Sequence, residues 1–156
     1  MNQNKDKAVH PVTTNRQARF RYEILETVEA GLVLTGTEVK SLRTGKCSLG
    51  EGYATVENEE AWLVNIHIPE YTEGNRFNHD PRRRRKLLLT KRQLRYFNGQ
   101  LHQKGLTLVP MRLYFSGRVA KVELGLARGK KLYDKRQTIL RRESDRQVER
   151  ETFRRR

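Results

Sequence analysis

After Asp134 this 156-residue chain offers only four apolar side chains, Ile139, Leu140, Val148 and Phe153, against 9 lysines and arginines in residues 135–156. Apolar positions that few and that scattered cannot make a buried face. Arg142, Arg146, Arg150 and Arg154 recur every four residues, so a helix would align them in one stripe. Like charges at that spacing repel. A tail of this kind is a weak helix alone and a stable one against an anionic surface. The hydrophobic core must therefore come from the residues before it.

Charge is divided unevenly along the chain. Residues 1–78 carry 9 Lys/Arg and 11 Asp/Glu, whereas residues 79–156 carry 24 and 7, for a net +15 overall. An excess gathered in one half points to an anion-binding surface. Nucleic acid is the first candidate and an anionic membrane the second. A hydrophobic fraction of 35% and a charged fraction of 33% suit a modest core with a solvated periphery, one domain plus a tail. Cys47 is the sole cysteine, which excludes a disulfide framework and a cysteine-based zinc site and suits a reducing cytoplasm. Residues 1–7 show no apolar signal region, and no stretch approaches a membrane span. The reading is a soluble cytoplasmic protein without cofactors.

Along the chain, residues 1–14 read as a polar, disordered lead-in. Asn15 is a candidate N-cap for a short helix or turn through Tyr22. Tyr22–Glu29 is β-rich; Ala30-Gly31 predicts a break, with Leu32-Val33-Leu34 as the return strand of a hairpin. Thr35 or Thr37 caps a helix through Arg43, ended near Gly45. Ser48–Glu57 reads as a strand interrupted at Gly50 and Gly52, with Ala61–Ile68 returning. A loop spans 69–81. Thr90 caps a helix with Leu94, Phe97 and Leu101 on one face and Gly105 as its stop. Two strong strands flank Ser116-Gly117. About six strands with three helices predict a mainly β, closed or nearly closed barrel, most simply an OB-type Greek key.

Two segments carry the charge. Arg82-Arg83-Arg84-Arg85-Lys86 is either a solvated basic loop or an RNA contact beside the barrel, and Arg82 and Lys86 are the candidates in it. Gly125–Arg136 is either a flexible linker or a phosphate contact through Arg128, Lys130 and Lys131, with Gly129 allowing close approach. It lacks the spacing of a nucleotide-binding P-loop, which disfavours ATP binding. The four histidines, His10, His67, His79 and His102, lack a metal-ligand pattern. His79-Asp80 is the only local His/Asp pair, and an RNA hydrolase using it with a lysine is a weak rival reading. A general single-strand binder is another. Tyr133, in a polar segment, is a candidate for stacking on a base.

Asn15-Arg16-Gln17-Ala18-Arg19, Glu29-Ala30-Gly31, Gly36–Arg43, Asn78–Arg82, Arg85–Leu89 and Gly125–Lys131, taken in order, resemble the SsrA-binding protein family, also called small protein B. The resemblance implies an OB-type domain over 15–132. It also implies a basic tail over 133–156, disordered when free and helical on the ribosome. By the same resemblance the protein is a monomeric, non-enzymatic adaptor that binds the tRNA-like domain of transfer-messenger RNA. It would reach stalled ribosomes with elongation factor Tu, held indirectly through the charged RNA. Its tail would probe the decoding centre and empty mRNA channel of the small subunit, so that the nascent chain is tagged for proteolysis. Asn15, Glu29 and Leu88 match positions supporting the RNA contact; Arg16, Arg19, Lys40 and Arg43 join them on charge. Tyr133, Asp134, Lys135 and Arg136 match the decoding motif, with Arg142, Arg146 and Arg150 along the tail. Tyr133 stands where the family usually has histidine, and Ser144 where many relatives have tryptophan. The tail helix must then lean more on arginine–phosphate contacts.

Overall fold

The computed structural model describes residues 8–73, 78–103 and 105–129, together with Glu143, Arg146 and Gln147. Among the described residues up to Gly129, seven strands and three helices follow in the order β1 (Val9–Thr14), α1 (Ala18–Arg21), β2 (Tyr22–Leu32), α2 (Gly36–Arg43), β3 (Tyr53–Glu57), β4 (Glu60–Val64), β5 (Arg85–Leu88), α3 (Lys91–Leu101), β6 (Leu106–Ser116) and β7 (Val119–Gly129). All pairings are antiparallel. The strand order is β1-β6-β3-β4-β5-β2-β7, and β6 also pairs with β7, so the six strands other than β1 close on themselves. Leu63, Ile66, Leu108, Val122 and Leu124 fill the interior, with Phe97 of α3 plugging one end.

Local chemistry explains the two long helices. Thr35 accepts from the Glu38 amide, and Glu38 reaches back to the Thr35 amide at 2.9 Å, a complete capping box for α2. Thr90 and Gln93 do the same for α3. Each box satisfies two of the four amides that a helix start leaves without partners. A register shift between Pro110 and Arg112 returns Leu113 to the main core, while Val109 and Met111 face the other side of β6. There they make a second small core with Ala18 and Ala127 under α1.

Four local expectations give way. Residues 9–14 are not a disordered lead-in: β1 pairs with β6 from Ser116 to Arg112, the backbone bonds coming from a partner distant in sequence. Asn15 caps nothing; Gln17 holds the N-cap position of α1 without a side-chain bond. Strand β2 runs unbroken through Ala30-Gly31, so no hairpin forms there. The strand expected from Ser48 shrinks to β3, with Ser48 in an isolated bridge to His67. The reason lies at Gly52, where an added Cβ would sit 2.5 Å from Ile66 Cγ2 and 3.1 Å from Pro110 Cγ. Glycine there lets two segments cross closely. In the tail, Lys130, Lys131, Tyr133, Asp134, Lys135, Arg136, Arg142 and Arg150 lie outside the described residues, while Arg146 is helical and exposed beside Glu143 and Gln147.

The basic run at 82–86 is mostly structural. Arg85 and Glu38 are both fully buried. Arg85 donates from Nε to Glu38 Oε2 at 2.6 Å, from Nη1 to the Ile66 carbonyl at 3.0 Å and from Nη2 to the Pro81 carbonyl at 3.1 Å. Arg83 donates to the other Glu38 oxygen through Nε at 3.1 Å. Burial alone would raise the Glu38 pKa. Hydrogen bonds from Arg83, the Thr35 amide and Arg85 outweigh it and hold the carboxyl below its ordinary value. Breaking a buried pair leaves an uncompensated charge, which costs about 3–5 kcal/mol. Arg85→Met and Glu38→Gln should each lower the unfolding free energy by about that amount in urea titrations. Because the folded-state pKa of Glu38 is depressed, its contribution is present above the unfolded value and lost as pH falls through the folded one. The stability gap between the native protein and Glu38→Gln should therefore shrink as pH drops below about 4.

Candidate nucleic-acid interface

Strand pairing lays out one outer face across β5, β2, β7 and β6. In one rung Leu88 stands opposite Gly31, Gly31 opposite Lys121, Lys121 opposite Tyr114 and Tyr114 opposite Pro11. The next rung runs Glu29, Glu123, Arg112 and Thr14. The neighbours Ala30, Leu32, Val122 and Leu113 point inward to the core. Leu88 is therefore left 53% exposed, an apolar knob on this face. An added Cβ at Gly31 would lie 3.2 Å from Leu88 Cβ, so glycine keeps the floor beside the knob low.

The polar side of this face is a closed network. The Tyr114 hydroxyl donates to one Glu29 oxygen, and Lys121 Nζ donates to the other at 2.7 Å. Arg112 donates from Nε to Glu123 at 3.0 Å and lies over the Tyr114 ring at 4.6 Å. The bonds from Lys121 and then Tyr114 hold the Glu29 carboxyl below its ordinary pKa. Burial and the bond to Glu29 push the Tyr114 phenol up. Asn15 works on the same strand from the other side: its amide side chain donates to the Pro110 carbonyl at 3.0 Å and its backbone amide to the Met111 carbonyl at 2.7 Å. Asn15 and Glu29 thus converge on residues 110–114 of β6 and set the shape of the face. The result is a rigid, low-relief surface with fixed charges, suited to reading the shape of a folded RNA, whose base edges are largely hidden.

The family model described as "SmpB protein" matches residues 12–154 of this chain. This chain belongs to the SmpB family. The SsrA-binding protein of Gloeothece citriformis is 58% identical over 140 residues, covering 89% of this chain and 90% of that one. The SsrA-binding protein of Agrobacterium fabrum is 58% identical over 141 residues, 89% and 88% of the two chains. A chain solved under the description "tmRNA-SmpB: a journey to the center of the bacterial ribosome" is 57% identical. It superposes with a TM-score of 0.67 over 78% of this chain and 86% of that chain.

The remaining candidates of this SmpB family member fall in three other places. Arg16 and Arg19 are exposed around α1, whose last residue precedes Tyr22; Tyr22 pairs with Gly129. Arg128 is exposed one residue earlier, so these three cations surround the point where β7 leaves the barrel. Lys40 and Arg43 lie elsewhere, on the last turns of α2, where they stack over Tyr71 at 5.8 Å and Phe115 at 5.0 Å. Arg82 and Lys86 are tied down within the fold, Arg82 to Asn65 Oδ1 at 3.1 Å and Lys86 to Glu60 at 3.4 Å.

Sequence reasoning missed Tyr114, Lys121 and Arg112. Their signal was present as alternation on β6 and β7, but only the strand register links them to Glu29. It also missed Arg85, which the period of a strand could have flagged: Arg85 and Leu87 face in, Lys86 and Leu88 out.

His79 is buried and bridges, its Nδ1 2.9 Å from Thr37 Oγ1 and its Nε2 2.9 Å from the Ile68 carbonyl. Both ring nitrogens are engaged in holding α2 to the 69–81 loop. Burial pushes the Cys47 thiol up to about 11, away from nucleophilic use. Among the described residues no cluster of three His, Cys, Asp or Glu can hold a metal, and no helix is long and apolar enough to cross a membrane.

If the Glu29–Tyr114 contact couples β2 to β6, a double-mutant cycle of Glu29→Gln and Tyr114→Phe should show non-additivity of at least about 0.5 kcal/mol by urea denaturation.

Proposed function

We propose that this chain is a non-enzymatic adaptor that binds transfer-messenger RNA and carries it to stalled ribosomes. The observation that carries the reading is convergence. Residues 15, 29 and 88, far apart in sequence, act on one outer face, in a chain that shares 58% identity with a relative named for SsrA binding. In this reading the outer face grips the tRNA-like domain through its shape and backbone. Arg16, Arg19 and Arg128, at the root of the tail, add counterion-releasing phosphate contacts. Elongation factor Tu joins only through the charged RNA.

The tail has a separate task. Residues 133–156 order as a helix against the phosphate lining of a vacant mRNA channel, with Tyr133, Asp134, Lys135 and Arg136 at the decoding centre. Ordering costs about 1–2 kcal/mol of backbone entropy per residue, offset by arginine–phosphate contacts at 142, 146 and 150. A channel already filled by message denies the tail those contacts.

Gel shifts at two salt concentrations test the first part. The full chain should prefer transfer-messenger RNA over bulk tRNA at least about tenfold at both, while absolute affinity falls steeply with salt. Equal affinity for both RNAs would exclude the adaptor and favour a general binder. Truncation after Leu132 tests the second part: it should leave RNA affinity within about twofold while abolishing peptide tagging in a reconstituted translation system. Parallel loss of both activities would refute the division of labour.

A further inference from the structure

A pocket of about 390 Å³ opens beside Leu88, between the β3–β5 strands and α3. That lies within the range of about 300–1,000 Å³ typical of small-ligand sites. Its floor includes Val56 and Leu94; its rim carries Glu59 from the β3–β4 turn and Lys91, Arg95 and Asn98 from α3. The spacing of the last three places them on one face of the helix. Among the described residues, the side chains of Glu59, Lys91 and Arg95 form no hydrogen bond or ion pair. Neighbouring charges contrast with them: Lys86 is held by Glu60, and Arg84 by Glu57 at 2.9 Å. Glu59 also occupies a backbone position with φ of 62°, which favours glycine or asparagine. The turn does not call for a glutamate there.

Resting on the adaptor reading, we propose that this pocket takes one unpaired guanine nucleotide of the bound RNA. Single-stranded loops present such bases splayed out, and Leu88 makes the pocket continuous with the outer face. Lys91 and Arg95 meet the phosphate. The two Glu59 oxygens accept from the adjacent N1–H and N2–H of guanine, a bidentate pairing. Adenine and cytosine each present a donor beside an acceptor on that edge, and uracil a single donor between acceptors. Only guanine offers two neighbouring donors to a carboxylate. Val56 and Leu94 supply the apolar floor under the ring.

The test uses the full chain. Glu59→Gln and the pair Lys91→Ala/Arg95→Ala alter exposed side chains and should keep the native melting temperature. Each should weaken binding of transfer-messenger RNA about tenfold. Amide resonances of residues 59, 91, 95 and 98 should shift on titration with guanosine 5′-monophosphate. The residue 59 resonance should stay in place with adenosine 5′-monophosphate or inorganic phosphate at equal ionic strength, whereas those of residues 91 and 95 shift with every phosphate-bearing probe. If the native chain still prefers transfer-messenger RNA but the variants bind as well and no resonance moves, the guanine pocket is wrong and the adaptor reading stands. Equal shifts of the residue 59 resonance with all three probes would reduce the site to an anion contact and overturn the base assignment. Loss of RNA preference in the native chain would instead sink the adaptor reading itself.

Discussion

The Glu38–Arg85 pair is the contact on which the rest of the barrel end depends. Both groups are fully buried, so each must have its charge and its hydrogen-bonding capacity met from within. Arg85 meets this by reaching the carbonyls of Ile66 and Pro81 as well as the carboxylate. Glu38 meets it through Arg83 and its own helix start at Thr35. One pair thereby joins α2, β5, the end of the β4 segment and the 69–81 loop. His79 repeats the logic with its buried ring, linking Thr37 to Ile68. Ser41 adds a third tie, donating to the Pro69 carbonyl at 2.6 Å. The loop is long, but its ends are pinned by buried polar bonds.

With that end closed, the outer face can be flat and charged without weakening the core. Strands β2, β7 and β6 alternate, so each interior residue leaves its neighbour outside. The shift at Pro110/Arg112 changes which residues of β6 face out, next to the small second core under α1. Asn15 fixes the chain beside that irregularity. Glu29, Tyr114 and Lys121 then bind three strands across their outer surface. A network in which every member has a partner is rigid, and rigidity is what shape recognition of a folded RNA requires.

Net positive charge is a poor guide to where an anion binds. Of the five basic residues at 82–86, Arg83 and Arg85 serve the core, and Arg84 and Lys86 pair with glutamates. Arg84 also lies 4.3 Å over the Trp62 ring. Among the described residues, cations with free heads gather instead around α1 and the end of β7 and along α3. Their grouping follows from pairing order, not from nearness in sequence.

The sequence alone determined whatever rests on neighbours a few residues apart. Helix starts at Thr35 or Thr37 and at Thr90, the apolar stripe of Leu94, Phe97 and Leu101, and the Ser116-Gly117 hairpin were all legible, since helices and tight turns are stabilised locally. The poverty of apolar residues after Asp134 likewise placed the core ahead of it. Tertiary structure decided the rest. Residues 9–14 become a strand only because β6 offers them a free edge. Gly31, with the profile of a breaker, is instead the gap that admits Leu88. Arg85, one of four consecutive arginines, is the one wholly buried, since strand alternation aims it at Glu38 across the barrel end. Each outcome depends on a partner dozens of residues away, and no local preference encodes which partner the fold will bring.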